Sequence, residues 1–439
     1  MYEVVLGRSN ADRKVLGLAG TIFLGKLYVK MGAVTSLSNK VFLDVAKAHI
    51  ILIAGKRGSG KSYSGAVIAE EIATLPDEVR HRLAVLIVDT LGIFWTMKFQ
   101  NEKDEDLLRE WGLEKKNIDV TIYTPTGKFN EYKEKGIPAD VPFAIRPAEL
   151  TTEDWAGLFG VSLLDATGVV LERNVEKVRG EIENFSIEDL IESIKNDHRA
   201  EENVKNVLEN RFLAARGWGI FSKEGTPLRE IIQSGKVSVL DVSVYAEWTV
   251  KALVVGILCK KLMSERMAAR KLEEVEDIQR GFRYFKSGVE ENESELPIVW
   301  IFIDEVQEFL PVERKTLATD ALVQILREGR QPGVCLVMAT QQPAEVHKDV
   351  WTQTDIVISH RVTARKDIEA LNAMMQTYAA SDILKYLNAL PDERGAAVVL
   401  DDNAERLYPI RVRPRFTWHG GEAPLAVKSK GTAVRELGL

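Results

Sequence analysis

Residues 55–62 constrain the fold of this chain more than any other segment. They read Gly-Lys-Arg-Gly-Ser-Gly-Lys-Ser and directly follow the apolar run 50–54. The pattern G-x-x-x-x-G-K-S is typical of a phosphate-binding loop, whose backbone amides point inward at the start of a helix and attract a polyphosphate. Such a loop needs a strand before it and a helix after it. We therefore predict a strand over 49–54 and a helix over 63–75.

Each position of this loop has a predicted role. Lys61 is expected to contact the β- and γ-phosphates of ATP, and the Ser62 hydroxyl to coordinate Mg²⁺. Glycines at 55, 58 and 60 are expected to adopt positive φ so that the loop folds tightly. The predicted nucleotide-binding residues are Gly55, Lys56, Arg57, Gly58, Ser59, Gly60, Lys61, Ser62 and Tyr63. The alternative is a glycine-rich turn that matches by chance, which the predicted strand and helix on either side disfavour.

The second half of the site is predicted in residues 297–310, PIVWIFIDEVQEFL. An apolar run that ends in two carboxylates is typical of a buried parallel strand with its polar end at the sheet edge. We expect Asp304 to hold Mg²⁺ and its water shell, and Glu305 to polarise the attacking water as general base. Buried carboxylates are costly unless they are compensated, and a metal ion compensates them. The alternative is an exposed helix start that Asp304 caps.

A third apolar strand is predicted over 334–339, and Thr340, Gln341 and Gln342 follow it. Ligands of open parallel sheets gather at the C-terminal ends of the strands. Gln341 is therefore the candidate sensor of the γ-phosphate. The alternative is a turn glutamine that precedes Pro343.

Arg327 and Arg330 lie at the end of a helix predicted over 313–329. Either could be an arginine finger that acts on the nucleotide of a neighbouring subunit. Pairing with the C-terminal end of the helix, or plain surface charge, explains each arginine equally well. Arg361, after a strand predicted over 356–359, is a weaker candidate of the same kind.

Composition and charge exclude several other classes of protein. The chain is 45% apolar and 28% charged, and its two cysteines lie in apolar runs, which is typical of an intracellular globular protein without disulfides. The net charge of −7 argues against extensive contact between the surface of one subunit and nucleic-acid phosphates. The longest apolar stretches are shorter than the roughly 20 residues of a membrane-spanning helix. We expect a cytoplasmic protein that does not enter the membrane.

Changes in residue pattern divide the chain into predicted parts. Short apolar runs alternate with glycine before residue 48, which predicts about four short strands of a partial barrel or a hairpin. Acidic helix starts at 151–154 and 186–189 predict a helical insertion. A helix is predicted over 247–274 and an exposed loop over 275–296. The division is 1–48 (short, truncated barrel-like β region), 49–147 (first part of the ATPase core), 148–235 (helical insertion), 236–420 (second part of the core) and 421–439 (C-terminal tail).

Several of these segments together resemble the HerA/FtsK superfamily of hexameric DNA-pumping ATPases, and most closely its archaeal HerA-like group. The matches are spread over residues 20–420 in the family's order, and the segment that begins REGRQPGV is far more specific than the P-loop alone. The matching segments are HIILIAGKRGSGKS, LIVDTLGIFWTMK, VSVLDVS, IFIDEVQEFL, REGRQPGVCLVMATQQP and RVRPRFTWHGG.

The resemblance implies an α/β fold with a RecA-like P-loop NTPase core, a mostly parallel sheet and a helical insertion. It also implies a homohexameric ring, ATP- and Mg²⁺-dependent translocation on double-stranded DNA, and a NurA-like nuclease as partner. By position, the family's ATPase roles fall on Lys61, Ser62, Asp304, Glu305 and Gln341. Its arginine-finger region contains Arg330, with Arg327 as the second candidate.

The chain departs from the superfamily pattern before the P-loop. HerA proteins carry a larger β-barrel there, whereas 48 residues precede His49 in this sequence. In that family the barrel helps to assemble the ring and to contact the nuclease. The resemblance therefore predicts the ATPase site more directly than it predicts the nuclease partner or the ring geometry.

Other functions are consistent with parts of this pattern. An ATP-gated scaffold or regulator would hydrolyse ATP slowly and dock a protein partner on the helical insertion, and DNA-stimulated turnover would separate it from a motor. A two-lobed helicase needs a second complete RecA-like lobe, and the 98 residues after Gln341 are too few for one. A small GTPase is disfavoured because the guanine-reading motif N-K-x-D is absent from the sequence.

Overall fold

The apolar runs of the sequence lie side by side in one sheet. The structure, a computed structural model, describes residues 3–31, 34–283, 296–375 and 383–421. The strands within these residues are β1 (Val4–Leu6), β2 (Thr21–Met31), β3 (Val34–Asp44), β4 (Ile50–Ala54), β5 (Leu83–Asp89), β6 (Val120–Pro125), β7 (Val141–Phe143), β8 (Val237–Asp241), β9 (Ile298–Ile303), β10 (Val334–Thr340), β11 (Ile356–Ser359), β12 (Ala396–Asp401) and β13 (Arg406–Val412). Their order across the sheet is β1-β3-β2-β13-β12-β11-β4-β10-β9-β5-β8-β6-β7.

Eight neighbouring strands, from β11 to β7, are parallel to one another. Within them, β10 lies between β4, which precedes the P-loop, and β9, which ends before Asp304. Parallel strands place their C-terminal ends at the same edge of a sheet, so the residues that follow β4, β9, β10 and β11 meet there. This arrangement confirms the predicted α/β fold with a mostly parallel, RecA-like core.

Helices cover both faces of the central strands. Ile50 and Leu52 of β4 face one hydrophobic core, whereas Ile51 and Ile53 face a second core on the other side of the sheet. Burial on both faces explains why β4 reads as a continuous apolar run. The helices are α1 (Asn10–Leu16), α2 (Lys61–Ala73), α3 (Asp77–Arg80), α4 (Glu105–Trp111), α5 (Thr126–Glu134), α6 (Thr152–Phe159), α7 (Ala166–Glu181), α8 (Ile187–Lys195), α9 (Glu202–Gly217), α10 (Leu228–Ile231), α11 (Trp248–Arg283), α12 (Thr319–Glu328), α13 (Lys348–Gln353), α14 (Arg365–Met375) and α15 (Ile383–Ala389).

Helices α6 to α10 follow one another on the face of the sheet that also carries α11. Thr151 and Ser186 each begin a helix with a capping box, in which the cap residue and the third helical residue exchange hydrogen bonds. These boxes satisfy backbone donors that a helix start leaves free. Trp155 is fully buried here among the rings of Phe159, Phe212 and Phe221. The division of the chain into a core and an insertion remains a prediction.

The N-terminal region forms a hairpin, one of the two predicted arrangements, but it has three strands where about four were predicted. Its described residues form three strands and the helix α1, which begins where the Ser9 side chain accepts a hydrogen bond from the Asp12 N–H. Strands β2 and β3 form a long antiparallel hairpin, and β2 also pairs with β13. The hairpin therefore extends the central sheet, because β13 offers it an open edge.

Two helix boundaries also differ from the prediction. Helix α11 continues to Arg283, whereas a loop was predicted from residue 275, because extending a helix adds one hydrogen bond per residue without a new nucleus. Helix α12 begins at Thr319 instead of residue 313, because the Thr316 hydroxyl holds the preceding loop by donating to the Phe309 carbonyl at 2.6 Å. The rest of the predicted loop, 284–295, and residues 422–439 of the predicted tail lie outside the described residues. In the part of the chain that the structure describes, no helix has the length and apolar content to cross a membrane.

A buried ionic cluster fastens the N-terminal strands to β4. The His49 Nδ1 lies 2.6 Å from the Asp355 Oδ2, and the His49 Nε2 lies 3.6 Å from the Asp44 Oδ2. Arg8 donates to Asp44 from the other side at 2.6 Å. Burial alone would lower the pKa of His49, but the hydrogen bonds and charges of Asp355 and Asp44 outweigh it and raise the pKa to about 9. His49 is therefore an imidazolium at neutral pH and joins two carboxylates from distant segments.

We expect this cluster to make stability depend on pH. Folded His49 binds its proton more tightly than the unfolded chain does, so its contribution is complete below its ordinary pKa of 6.5 and is lost as the pH rises through about 9. The loss is on the order of 3 kcal/mol. Free energies of unfolding in urea for wild type and His49→Gln should differ most at the acidic end of this range and converge at its alkaline end. A difference that stays constant across the range would contradict the assignment.

Candidate nucleotide-binding site

The P-loop connects the C-terminal end of β4 to the N-terminus of α2. Its first two residues are tied to neighbouring strand ends by backbone hydrogen bonds. The Gly55 N–H donates to the Thr340 carbonyl at 3.3 Å, and the Lys56 N–H donates to the Arg361 carbonyl at 3.0 Å. The loop is therefore anchored to the ends of β10 and β11, on both sides of its own strand.

The three glycines of the loop are required for two different reasons. Gly58 and Gly60 have φ values of 74° and 111°, in the left-handed region that glycine tolerates best. The prediction of positive φ is wrong for Gly55, which does not share this conformation. There the constraint is space, because a Cβ atom would lie 2.3 Å from the Ser59 Oγ and 2.8 Å from the His360 Cβ. Both constraints keep the loop tight.

The two predicted halves of the site meet where β4 and β9 end. The Ser62 hydroxyl donates a hydrogen bond of 2.5 Å to the Asp304 Oδ2. Lys61 is buried, and its Nζ donates to the Lys56 carbonyl at 3.3 Å. Desolvation lowers the pKa of Lys61, and the charges of Asp304 and Glu305 oppose this effect. Desolvation raises the pKa of Asp304, because burial disfavours its charged form. A bound cation would stabilise that charged form.

Glu305 is held in an unusual conformation next to Asp304. It is buried, and its φ of 54° and ψ of 47° are left-handed values that cost on the order of 1 kcal/mol for a residue with a side chain. The Gln307 Nε2 donates to the Glu305 Oε2 at 2.7 Å, and the Gln341 Nε2 donates to the Oε1. The Thr340 hydroxyl orients Gln307 by donating to its Oε1 at 2.8 Å. Strain of this kind occurs at functional sites, where the surroundings fix the residue.

The residues around the loop fit a nucleotide with Mg²⁺. The Ser59 Oγ is buried and has no hydrogen-bond partner among the described residues, which suits a loop that closes on phosphate oxygens. The Ser62 hydroxyl and the Asp304 carboxylate are oxygen ligands of the kind that Mg²⁺ prefers, and they would hold the ion. Lys61 places a cation beside them. ATP and Mg²⁺ thus match the chemistry of the site, while the role of each residue remains a prediction.

The C-terminal segment 413–419 binds the side of α2. Glu70 is fully buried, and its carboxylate accepts hydrogen bonds from Arg413 at 3.1 Å and Arg415 at 3.0 Å. Desolvation favours the neutral acid, but the two guanidinium groups outweigh it and lower the pKa of Glu70. The Tyr63 hydroxyl accepts the Arg415 N–H at 2.7 Å. The side chain of Tyr63 is thus engaged by this segment, and its contact with the nucleotide remains a prediction.

The three candidate arginines lie at two different edges of the sheet. Arg361 follows β11 at the edge of the P-loop, where it pairs with Asp392 at 2.7 Å. Arg327 and Arg330 precede β10, at the opposite edge. Arg327 pairs with Asp349 at 2.7 Å, whereas Arg330 is exposed and has no ion pair or side-chain hydrogen bond with a described residue. The length of β10, roughly 20 Å, separates these two arginines from the P-loop of their own subunit.

Two further residues lie at the edge of the sheet where β4, β9, β10 and β11 end, and neither was predicted from the sequence. One is Gln307, and the other is His360, whose Nδ1 donates to the Ala396 carbonyl at 2.9 Å while its Nε2 accepts from the Ser64 hydroxyl at 2.9 Å. Burial lowers the pKa of His360 to about 4, so the neutral ring keeps one donor and one acceptor. Both residues lie just after a buried strand. The same signal that singled out Gln341 could have found them.

The parallel sheet, the P-loop and the acidic pair beside it define a P-loop NTPase with a RecA-like core. The chain belongs to the HerA family, because the family model described as "Helicase HerA, central domain" matches residues 24–262, more than half of the chain. A second model, described as "Zonular occludens toxin (Zot)", matches residues 263–382, which include Asp304 and Glu305. The resemblance stated from the sequence is confirmed.

Individual relatives are similar over different shares of their length. The probable DNA double-strand break repair helicase HerA of Methanocaldococcus jannaschii is 22% identical over 379 residues, which are 80% of this chain and 69% of that protein. The DNA double-strand break repair helicase HerA of Pyrococcus furiosus is 28% identical over 143 residues, which are 31% of this chain and 26% of that protein. The solved structure of VirB4 of Thermoanaerobacter pseudethanolicus has a TM-score of 0.52 and 15% identity, covering 90% of this chain and 96% of that one. This last likeness supports the fold alone.

Proposed function

We propose that this chain is the ATP-hydrolysing subunit of a ring motor that moves double-stranded DNA. The hydrogen bond between Ser62 and Asp304 carries the proposal, because it brings the phosphate-binding and metal-binding halves of one site together. Membership of a P-loop ATPase family supports hydrolysis of ATP with Mg²⁺. Both HerA relatives are described as DNA repair helicases, which favours DNA as the polymer that is moved.

In this proposal the catalytic roles are divided among the ends of β4, β9 and β10. Lys61 contacts the β- and γ-phosphates, and Ser62 and Asp304 hold Mg²⁺. Glu305 takes the proton of the attacking water, and Gln341 senses the γ-phosphate. Each strand end thus contributes a different chemical group to one triphosphate.

The position of Arg330 supports assembly into a ring. A cation at the sheet edge opposite its own P-loop can stabilise the transition state only in another subunit. Arg330 is exposed and has no described partner, whereas the charge of Arg327 is already paired with Asp349. Arg330 is therefore the preferred finger and Arg327 the second candidate. A homohexamer, a NurA-like nuclease partner and a cytoplasmic location complete the proposal on the superfamily resemblance.

An ATP-gated scaffold or regulator is the second candidate function. Apolar side chains are exposed in the helical region between residues 152 and 231: Leu164, in the turn before α7, is 96% exposed, Val169 of α7 47% and Val207 of α9 45%. Exposed apolar residues that lie near each other on a helical surface can mark a protein-binding site. A partner docked there would make slow, DNA-independent hydrolysis a timer instead of a source of movement.

DNA-stimulated hydrolysis separates the two functions. For a motor we expect phosphate release to rise several-fold on linear duplex DNA, with Glu305→Gln binding ATP but hydrolysing it on the order of a hundredfold more slowly in both conditions. Glu313→Gln, which changes an exposed glutamate nearby, is the matched control and should retain the stimulated rate. A rate of phosphate release that is the same with and without DNA favours the scaffold. An unchanged rate in Glu305→Gln removes that residue from the role of base.

Mixed rings test whether Arg330 acts across the subunit interface. Arg330→Ala and Glu305→Gln subunits should each be inactive alone. When they are mixed, a site with an intact Glu305 can receive an intact Arg330 from its neighbour, so we expect phosphate release to recover in part and to peak near equal amounts. The same mixture made with Arg327→Ala is the control for the second arginine. If no ratio restores activity, Arg330 is not the finger.

A further inference from the structure

Two glutamine amides hold the carboxylate of Glu305 from both sides. The Gln307 Nε2 donates to the Oε2 at 2.7 Å, and the Gln341 Nε2 donates to the Oε1. Gln307 is itself fixed, because its Oε1 accepts the Thr340 hydroxyl at 2.8 Å. The Thr340 carbonyl in turn accepts the N–H of Gly55, the first residue of the P-loop. A continuous chain of hydrogen bonds therefore links the P-loop to the carboxylate that is the candidate base.

The two glutamines differ in how they are anchored. Both side-chain ends of Gln307 are engaged, one by Glu305 and the other by Thr340, which is fully buried. Gln341 is only part-buried, and its one described side-chain partner is Glu305. Gln341 is therefore free to turn away, whereas Gln307 is not.

The two amides occupy both oxygens of the Glu305 carboxylate, so that each oxygen already accepts a hydrogen bond in the place where the attacking water would donate one. Glu305 acts as base when the water oxygen bonds to the γ-phosphorus, the bond to the bridging oxygen breaks and the water proton passes to a carboxylate oxygen. The Oε1 can take that proton more readily once Gln341 no longer donates to it. A bound triphosphate offers Gln341 a highly charged alternative acceptor, with which charge-assisted hydrogen bonds are strong.

We propose that Gln307 is a positioning residue that keeps Glu305 in place, and that Gln341 exchanges the Glu305 carboxylate for the γ-phosphate when ATP binds. The exchange releases the base only when there is a phosphate to attack. Before ATP binds, the hydrogen bond from Gln341 restrains Glu305, which stays in the site. This inference rests on the proposed function, because it concerns regulation of the same hydrolytic site.

Competition between two acceptors for Gln341 predicts an energetic coupling. The dissociation constant of a fluorescent non-hydrolysable ATP analogue is measured for wild type, Glu305→Ala, Gln341→Leu and the double variant. Removing the competing carboxylate should tighten binding more when Gln341 is present than when it is leucine, by roughly tenfold. The loss of one negative charge affects both backgrounds alike and cancels in the comparison. Equal tightening in both backgrounds would overturn the exchange.

The positioning role of Gln307 predicts a split between binding and turnover. Gln307→Leu should leave the dissociation constant of the analogue within about twofold of wild type and lower kcat, since the Glu305 carboxylate loses the donor that fixes it. Thr340→Val removes the anchor of Gln307 at nearly constant shape. It should lower kcat less, and it should add little to the loss in Gln307→Leu because both changes break the same chain of contacts. Gln342→Leu, which changes the exposed glutamine after Gln341, is the matched control. If the Gln307 and Thr340 substitutions lower kcat independently, or if Gln307→Leu weakens analogue binding as much as it lowers kcat, Gln307 is not a positioning residue.

Failure of this inference is distinguishable from failure of the proposed function. A wild-type chain that binds no ATP analogue contradicts the proposed function itself. A wild-type chain that binds and hydrolyses ATP, but in which the Glu305 and Gln341 substitutions act independently, contradicts only the exchange.

Discussion

A hydrogen bond from the Ser62 hydroxyl to the Asp304 carboxylate joins two segments that lie 242 positions apart in the chain. It forms because β4 and β9 are parallel members of one sheet, separated by β10, so their C-terminal ends share one edge. Every residue to which we assign a part in hydrolysis within its own subunit depends on this meeting. The strand that separates them adds Gln341 at the same edge, and the loop after β9 adds Glu305 and Gln307.

The P-loop and the helix that follows it are held in place from two sides by buried side chains. On one side, neutral His360 connects Ser64 at the start of α2 to the backbone of β12. On the other side, Glu70 of α2 is bound by Arg413 and Arg415. Buried ion pairs of this kind contribute little net stability, but breaking one leaves an uncompensated charge in the interior. The late basic segment of the sequence thus has a structural role: it fixes the helix that presents Lys61 and Ser62.

Much of the core could be predicted because its signals are local. A strand that is buried on both faces reads as an apolar run, as β5 and β9 do, and the polar residues that end it lie at the functional edge. The place of the N-terminal hairpin in the sheet could not be predicted, since it depends on β13, which lies hundreds of positions later in the chain. The steric role of Gly55 depends on the side chains of Ser59 and His360, the second of which follows a strand about 300 positions later in the chain. Such contacts leave no pattern in the neighbouring sequence.

The most direct test concerns the metal that Ser62 and Asp304 would share. In Ser62→Cys the hydroxyl ligand becomes a thiol, which binds Mg²⁺ poorly and Mn²⁺ or Cd²⁺ well. We predict that this variant still binds the ATP analogue, loses Mg²⁺-dependent phosphate release, and regains it with Mn²⁺ or Cd²⁺, while wild type prefers Mg²⁺. Full Mg²⁺-dependent activity in the variant, or ATP binding with no rescue by either softer metal, would contradict a shared nucleotide and metal site at this edge of the sheet.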